Sequence, residues 1–226
     1  MGTCPRLFQE DIEWNCFIAG RGLIRCDHEH HAIMTPPFLN KLDSRLNNCW
    51  KDIHAFSCLS NLAYQTTRKL SPETYNEMMV SILYRLTHLS FANDHLQETI
   101  RVALLVYCTT IFLTRSFLEQ PYDHLFELFK TGLFNLCRTS TIIVPTSIML
   151  WLMLLYHGTV YKGPSVDPWA DDWLDRAVSL VGVDTWAQAH PVLRSVMWVD
   201  FVHDPAGQKA FLEATERPKA VGPTQP

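Results

Sequence analysis

Residues 145–156 read PTSIMLWLMLLY, and within them Ile148, Met149, Leu150, Trp151, Leu152, Met153, Leu154 and Leu155 form an unbroken run of eight apolar side chains. Eight residues make just over two helical turns. A helix without a polar stripe has no side to offer to water, so this one should be buried all round. It falls well short of the about 20 residues needed to cross a bilayer. Pro145 suits its start, because a first-turn proline forfeits no intrahelical hydrogen bond. His157 and Gly158 read as its end, with Gly158 as a left-handed cap. The stretch therefore predicts an all-α fold: a single multi-helix domain with a buried central helix near residues 145–157.

The flanks agree with that reading. Upstream, Pro121 opens a helix with Leu125, Leu128, Phe129, Leu133 and Leu136 on one face. Before it, Asn93 or Asp94 caps a helix carrying Leu96, Ile100, Leu104, Tyr107 and Ile111 and ending near Arg115 and Ser116. Ser71-Pro72-Glu73 is a helix start with a cap, a first-turn proline and an acid at the positive end of the dipole. Tyr75, Met78, Met79, Ile82, Leu83, Leu86 and Leu89 follow at helical spacing. Pro36-Pro37 breaks the chain, and Phe38, Leu42, Leu46, Trp50, Ile53 and Phe56 then form an apolar stripe, in one helix or two pieces reaching about Tyr64. Short loops between these helices favour antiparallel neighbours.

Downstream, Tyr161 to Pro168 is a loop, and Pro168 begins a helix with Trp169, Trp173, Ala177, Val178 and Val181 on one face. Gly182 ends it. Pro191 starts the next helix, whose inner face is Leu193, Val196, Met197 and Phe201. Asp204-Pro205-Ala206-Gly207 reads as a turn, and Gln208 to Thr215 as a last short helix. The expected organisation is an irregular N-terminal segment over 1–36, a helical domain over 37–215 and a disordered tail over 216–226.

Composition narrows the function classes. The chain has 226 residues, 47% of them apolar, enough for one sizeable core. With 19 basic and 23 acidic residues the formal charge is -4, and the basic residues are scattered, which argues against direct, specific nucleic-acid binding. Seven cysteines, an odd number without a C-x-x-C pair, do not make a disulfide framework. The start, MGTCPRLFQEDIEW, lacks the basic and apolar regions of a signal peptide. A nuclear or cytoplasmic protein, not associated with membranes and with reduced thiols in its core, is the expectation.

Several motifs invite a site and none carries one. Gly20 and Gly22 resemble the start of a dinucleotide fingerprint, but Arg25 stands where the third glycine belongs and no βαβ unit follows. Cys26, His28, His30 and His31 bring a thiol and three imidazoles together, but no second ligand pair follows at zinc-finger spacing. Asp167, Asp171, Asp172 and Asp175 are dense enough to suggest calcium, yet the EF-hand loop pattern is missing. Asp167 as a cap, with acids in the first turn behind it, is the simpler account. Met78 and Met79 sit where core filler sits. His203-Asp204 is not a dyad, because adjacent residues on one turn seldom face each other. No catalytic residue, cofactor-binding residue or metal ligand is assigned from the sequence, and no cofactor is expected.

The C-terminal third carries a resemblance. Met149-Leu150-Trp151-Leu152, Trp173-Leu174 and Gly182-Val183-Asp184-Thr185-Trp186 occur in a particular order. Leu193-Arg194-Ser195-Val196-Met197-Trp198 and Val202-His203-Asp204 follow, with Gly207 and Phe211. Together with Leu83-Tyr84-Arg85-Leu86 upstream, this order resembles the C-terminal helical region of fungal zinc-cluster transcription factors and transcription-factor-like proteins, over about Phe38 to Phe211. Nothing in the sequence matches the six-cysteine, two-zinc DNA-binding module of that family; Cys4, Cys16 and Cys26 lie too far apart. The resemblance implies a non-catalytic regulatory or dimerising domain that meets other proteins, a related transcription factor or a second copy among them. The competing readings are a helical small-molecule-binding protein or enzyme, and a truncated gene product without independent function. A pocket with converging polar groups would favour the first of these, and an exposed apolar patch the interaction reading.

Overall fold

The computed structural model describes residues 36–66, 71–113, 122–139, 144–161 and 163–217, and every regular element among them is helical. A single turn, Pro36–Leu39, precedes eight longer helices. These are α1 (Ser44–Gln65), α2 (Pro72–His88), α3 (His95–Phe112), α4 (Asp123–Arg138), α5 (Thr146–Thr159), α6 (Pro168–Val181), α7 (Trp186–Val196) and α8 (Asp200–Glu216). The apolar run became α5, and α3, α4, α6, α7 and α8 all pack on it. Ile148 and every residue from Leu150 to Tyr156 are buried, with Met149 half-buried.

Local chemistry explains the boundaries. The stripe from Phe38 to Phe56 is buried throughout and lies in two pieces, because Asp43 interrupts it. The Asp43 carboxylate accepts the Arg45 N–H at 2.9 Å and caps α1. Asp94 accepts the Gln97 N–H at 3.0 Å and caps α3. Gly182 closes α6 at φ 74°, ψ 40°, the left-handed region that a side chain resists. No helix among the described residues is long and apolar enough to cross a membrane.

Two clusters of rings fill the core. Trp151, fully buried, meets Trp50 at 5.6 Å and Tyr107 at 5.8 Å between centroids. Trp186 meets Trp198 at 6.2 Å and Phe211 at 5.8 Å. His203 joins the clusters, stacked on Tyr107 at 4.8 Å and tilted against Trp198 at 5.0 Å.

Several expectations are corrected. Gly158 is not a cap: α5 runs on through it, with the Val160 N–H donating to Tyr156 O at 2.8 Å. α3 stops at Phe112, before Arg115 and Ser116, which lie outside the described residues. Leu128 is exposed, because α4 turns Phe129, Leu133 and Leu136 inward. Ala170, Leu174, Ala177 and Val178 form the inner face of α6, leaving Trp169 and Trp173 half-buried at its edges.

The C-terminal third departs furthest. α7 begins at Trp186, not Pro191, because Thr185 and Gln188 form a reciprocal capping box. Asp204–Gly207 is not a turn but lies inside α8, and Phe201 belongs to that helix with its ring half-exposed. Gly207 is the point of closest approach: a Cβ there would stand 2.6 Å from Trp198 Cζ2. Of the expected 216–226 tail, Glu216 and Arg217 are described, and residues 218–226 lie outside the described residues. Glu216 ends α8, and Arg217 pairs with Asp171 (2.6 Å) and Asp175 (2.9 Å), tying the end of α8 to α6. The N-terminal segment up to residue 35 lies outside the described residues, and with it Gly20, Gly22, Cys26, His28, His30 and His31.

Candidate functional site

The corner where α1 meets the start of α8 gathers the most surface chemistry. Asn61, one turn before the end of α1 and buried, clamps the α7–α8 connection with its amide. Its Nδ2 donates to Trp198 O at 2.8 Å, and the Asp200 N–H donates to its Oδ1 at 2.9 Å. These two bonds set how α1 meets the start of α8. Tyr64, three on from Asn61, and Phe201, one on from Asp200, stack with centroids 4.8 Å apart and planes at 25°. Both rings face solvent, 64% and 47% exposed, although exposed aromatics are costly to leave wet.

Beside the stack lies a charge cluster built from two i, i+4 pairs. His190 and Arg194 project from α7, Asp200 and Asp204 from α8. His190 Nε2 is 3.2 Å from Asp200 Oδ1 and 3.3 Å from Asp204 Oδ1. Arg194 donates to both oxygens of Asp200, and Trp198 Nε1 donates to Asp204 Oδ1 at 2.8 Å. Burial alone would push the Asp200 carboxyl up, but hydrogen bonds from His190 and Arg194 outweigh it and hold it at about 2. The hydrogen bond to Asp200 likewise raises His190 above the ordinary imidazole range. Donor atoms of His190, Asp200 and Asp204 lie within 4.8 Å of one another, close enough for a cation. The guanidinium covering Asp200 and the indole on Asp204 already fill the acceptors a metal would use. Arg194 pairs with Asp200 across the two helices, so the cluster fits an ion-pair latch between α7 and α8 better than a metal centre.

The remaining candidates resolve into structure. Asp171 accepts from Tyr161 Oη at 2.8 Å and pairs with Arg217, and Asp175 pairs with Arg217 as well, so two of the four acids considered for calcium hold arginine. Asp167 occupies the cap position of α6 without making a side-chain cap bond. Its buried carboxylate turns instead to Lys130 Nζ of α4, 2.5 Å away. His203 and Asp204 point to different surroundings, the core and the latch. Cys49, Cys108 and Cys137 are buried free thiols; burial pushes Cys49 to about 11 and Cys137 to about 12, which suppresses the thiolate.

A cleft of about 430 Å³ opens between the start of α4 and the α5–α6 connection. Tyr122, Phe126 and Tyr161 supply its rings, Asp123, Glu127, Asp167 and Lys130 its charges. Asp123, Phe126, Glu127 and Lys130 recur at helical spacing along one side of α4.

Sequence reasoning missed the latch, Asn61, and the Lys130–Asp167 pair. A signal for the latch existed: His190/Arg194 and Asp200/Asp204 are matched i, i+4 pairs, visible once a helix is drawn through Pro205. Compared with family models, curated proteins and solved structures, the chain matches none.

Proposed function

We propose that this chain is a non-catalytic helical regulatory domain that acts through protein contacts, as the resemblance to the C-terminal region of fungal transcription factors implies. The observation that carries the reading is the Tyr64–Phe201 stack, two exposed aromatic rings next to the point where Asn61 ties α1 to the α7–α8 connection. Tyr is among the residues in which binding energy concentrates at interfaces, and rings already stacked before binding lose little entropy on contact. A regulatory role in transcription would run through a partner, because dispersed basic residues and a formal charge of -4 give little hold on phosphates.

The first partner to test is a second copy of the chain. Sedimentation velocity from about 1 to about 200 µM spans the affinities at which a modest homodimer forms. A concentration-dependent dimer that disappears in the Tyr64→Ser/Phe201→Ser double variant supports the reading. A chain that stays monomeric across the range, or a dimer indifferent to both substitutions, removes this corner as the self-contact.

A further inference from the structure

We propose that His190 is a proton-operated switch on the start of α8. With its proton it closes the latch between α7 and α8 and fixes the Phe201 side of the aromatic corner; without it the latch loosens. The bearing on the self-contact rests on the reading above, whereas the latch acts within a single chain.

Geometry sets up the switch. His190 Nε2 lies against two carboxylates at once, 3.2 Å from Asp200 and 3.3 Å from Asp204. Arg194 donates to both oxygens of Asp200, while Asp204 otherwise accepts the uncharged indole N–H of Trp198 at 2.8 Å. A charged imidazole gives the two acids a second cation, and a neutral one leaves them to share Arg194. A neutral ring can still point one N–H at one oxygen, but it does not offset the repulsion between two acids one helical turn apart. The His190 side chain is 22% exposed, so solvent can deliver and remove the proton.

Among the described residues, the charges that act on His190 are Asp204 and Asp200, which favour its proton, and Arg194, which opposes it. Its neighbour on α7, Trp186, brings only a ring, 5.7 Å away. α5 also packs on α7, but its one imidazole, His157, lies against Asp171 and Tyr161. The Cys58 thiol of α1 acts on Arg194. The hydrogen bond to Asp200 outweighs burial and raises His190 above its ordinary value of about 6.5. A group raised in the folded state stabilises that state at low pH and gives the gain up as pH rises through the raised midpoint. The latch is therefore shut on the acid side of that midpoint and loose on the alkaline side. Asp200, held at about 2, stays ionised on both sides.

What the latch holds is the first turn of α8. Asp200 begins the helix, and its N–H donates to Asn61 Oδ1 at 2.9 Å. The Val202 N–H donates to Val199 O at 3.1 Å and closes the turn. Phe201 stands between these two residues and stacks on Tyr64, so loosening Asp200 frees one ring of the corner. His203, next along, is pushed down to about 4 by burial and stays neutral where His190 titrates.

The test compares the full chain with His190→Gln and His190→Lys at about pH 6 and about pH 8.5, on either side of the raised midpoint. Hydrogen exchange is followed at the Asp200 and Val202 amides, corrected for the intrinsic rise of exchange with pH, below the dissociation constant of any dimer. In the native chain protection should fall about fivefold between the two pH values, the upper end of what one partly exposed ion pair contributes. His190→Gln should show the lower protection at both, and His190→Lys, charged at both, the higher. The His190 ring should titrate with a midpoint above about 6.5, lowered in Asp204→Asn. Protection independent of pH, an equal fall in His190→Gln, or a ring midpoint at or below about 6.5 would each overturn the switch. Sedimentation at the same two pH values judges the self-contact separately. A dimer weakened about fivefold at the higher pH in the native chain, but not in His190→Lys, extends the switch to the corner. A dimer indifferent to pH severs the latch from the corner, and a chain monomeric at both removes the self-contact while the amides still decide the switch.

Discussion

Protonating His203 should cost the folded state dearly, and the cost can be worked from its surroundings. The imidazole is buried between Tyr107 and Trp198. The Thr110 hydroxyl donates to Tyr107 O at 2.6 Å, so it can only accept from His203 Nε2, 2.8 Å away. Nδ1 lies 3.2 Å from the Val199 N and 3.0 Å from Val199 O, so it is burial, not a hydrogen-bond pattern, that argues for the neutral ring. Burial pushes this imidazole down to about 4, against a hydrogen bond to Val199 that pulls the other way. In the unfolded chain it returns to about 6.5. Between those values the unfolded state binds the proton and the folded state does not, so stability rises with pH and is lost as pH falls. From pH 7 to pH 5 the loss is about 2 kcal/mol, before most carboxylates titrate. His157, also lowered by burial, adds in the same direction; His190, raised by Asp200, opposes it. The assay is therefore differential: urea denaturation of the native chain and of His203→Gln at both pH values. The variant should be less stable at pH 7 but should lose about 2 kcal/mol less on going to pH 5. Equal losses in the two proteins would refute the neutral, buried imidazole.

Three further outcomes are expected. Trp151→Ala should destabilise by about 3–5 kcal/mol in chemical denaturation, since the indole is fully buried against Trp50 and Tyr107; a loss under about 1 kcal/mol would contradict that packing. Gly207→Ala tests a sign. On helix propensity alone it should stabilise α8 by about 1 kcal/mol, but contact with Trp198 should make it destabilising by about 1–3 kcal/mol in the same assay. Elemental analysis of untagged protein should find no stoichiometric zinc, because Cys26, His28, His30 and His31 lack a second ligand pair at finger spacing. One zinc per chain, lost on Cys26→Ser with His30→Ala, would contradict this.

The fold was legible where one force dominates. From Phe38 to Phe56 and from Ile148 to Leu155, apolar periodicity or an apolar run is strong enough that no other reading competes, and those side chains are buried or nearly so. Two helix ends were legible from the cap residue itself, the Asp94 carboxylate and the left-handed Gly182, while the Asp43 cap of α1 was not. Placement of the charged residues was not, because an ion pair such as Lys130–Asp167 depends on how two distant helices meet, and no local pattern encodes that meeting. The contact of Trp151 with Trp50 of α1 is equally invisible to any local pattern, for the same reason.

The two prolines of the last helices show how a sound local rule gives way. A proline inside a helix removes one hydrogen bond and crowds the preceding turn, so Pro191 and Pro205 read as boundaries. Each lies at the sixth residue of its helix, α7 and α8. The carbonyls they leave without an i+4 donor belong to Ala187 and Phe201, both at exposed positions where water can supply the missing donor. The residues that follow are tied into the core: Leu193 and Val196 in α7, Gly207, Ala210 and Phe211 in α8. The penalty is thus moved to the wet side of each helix while the dry side keeps its packing. Continuing α8 through Pro205 carries Asp204 to Trp198 Nε1 and His190, and brings Phe201 onto the helix beside Tyr64. Had the chain turned at Asp204, neither the latch nor the aromatic corner would exist, so the surface chemistry of this domain depends on the two helices that local rules would have stopped.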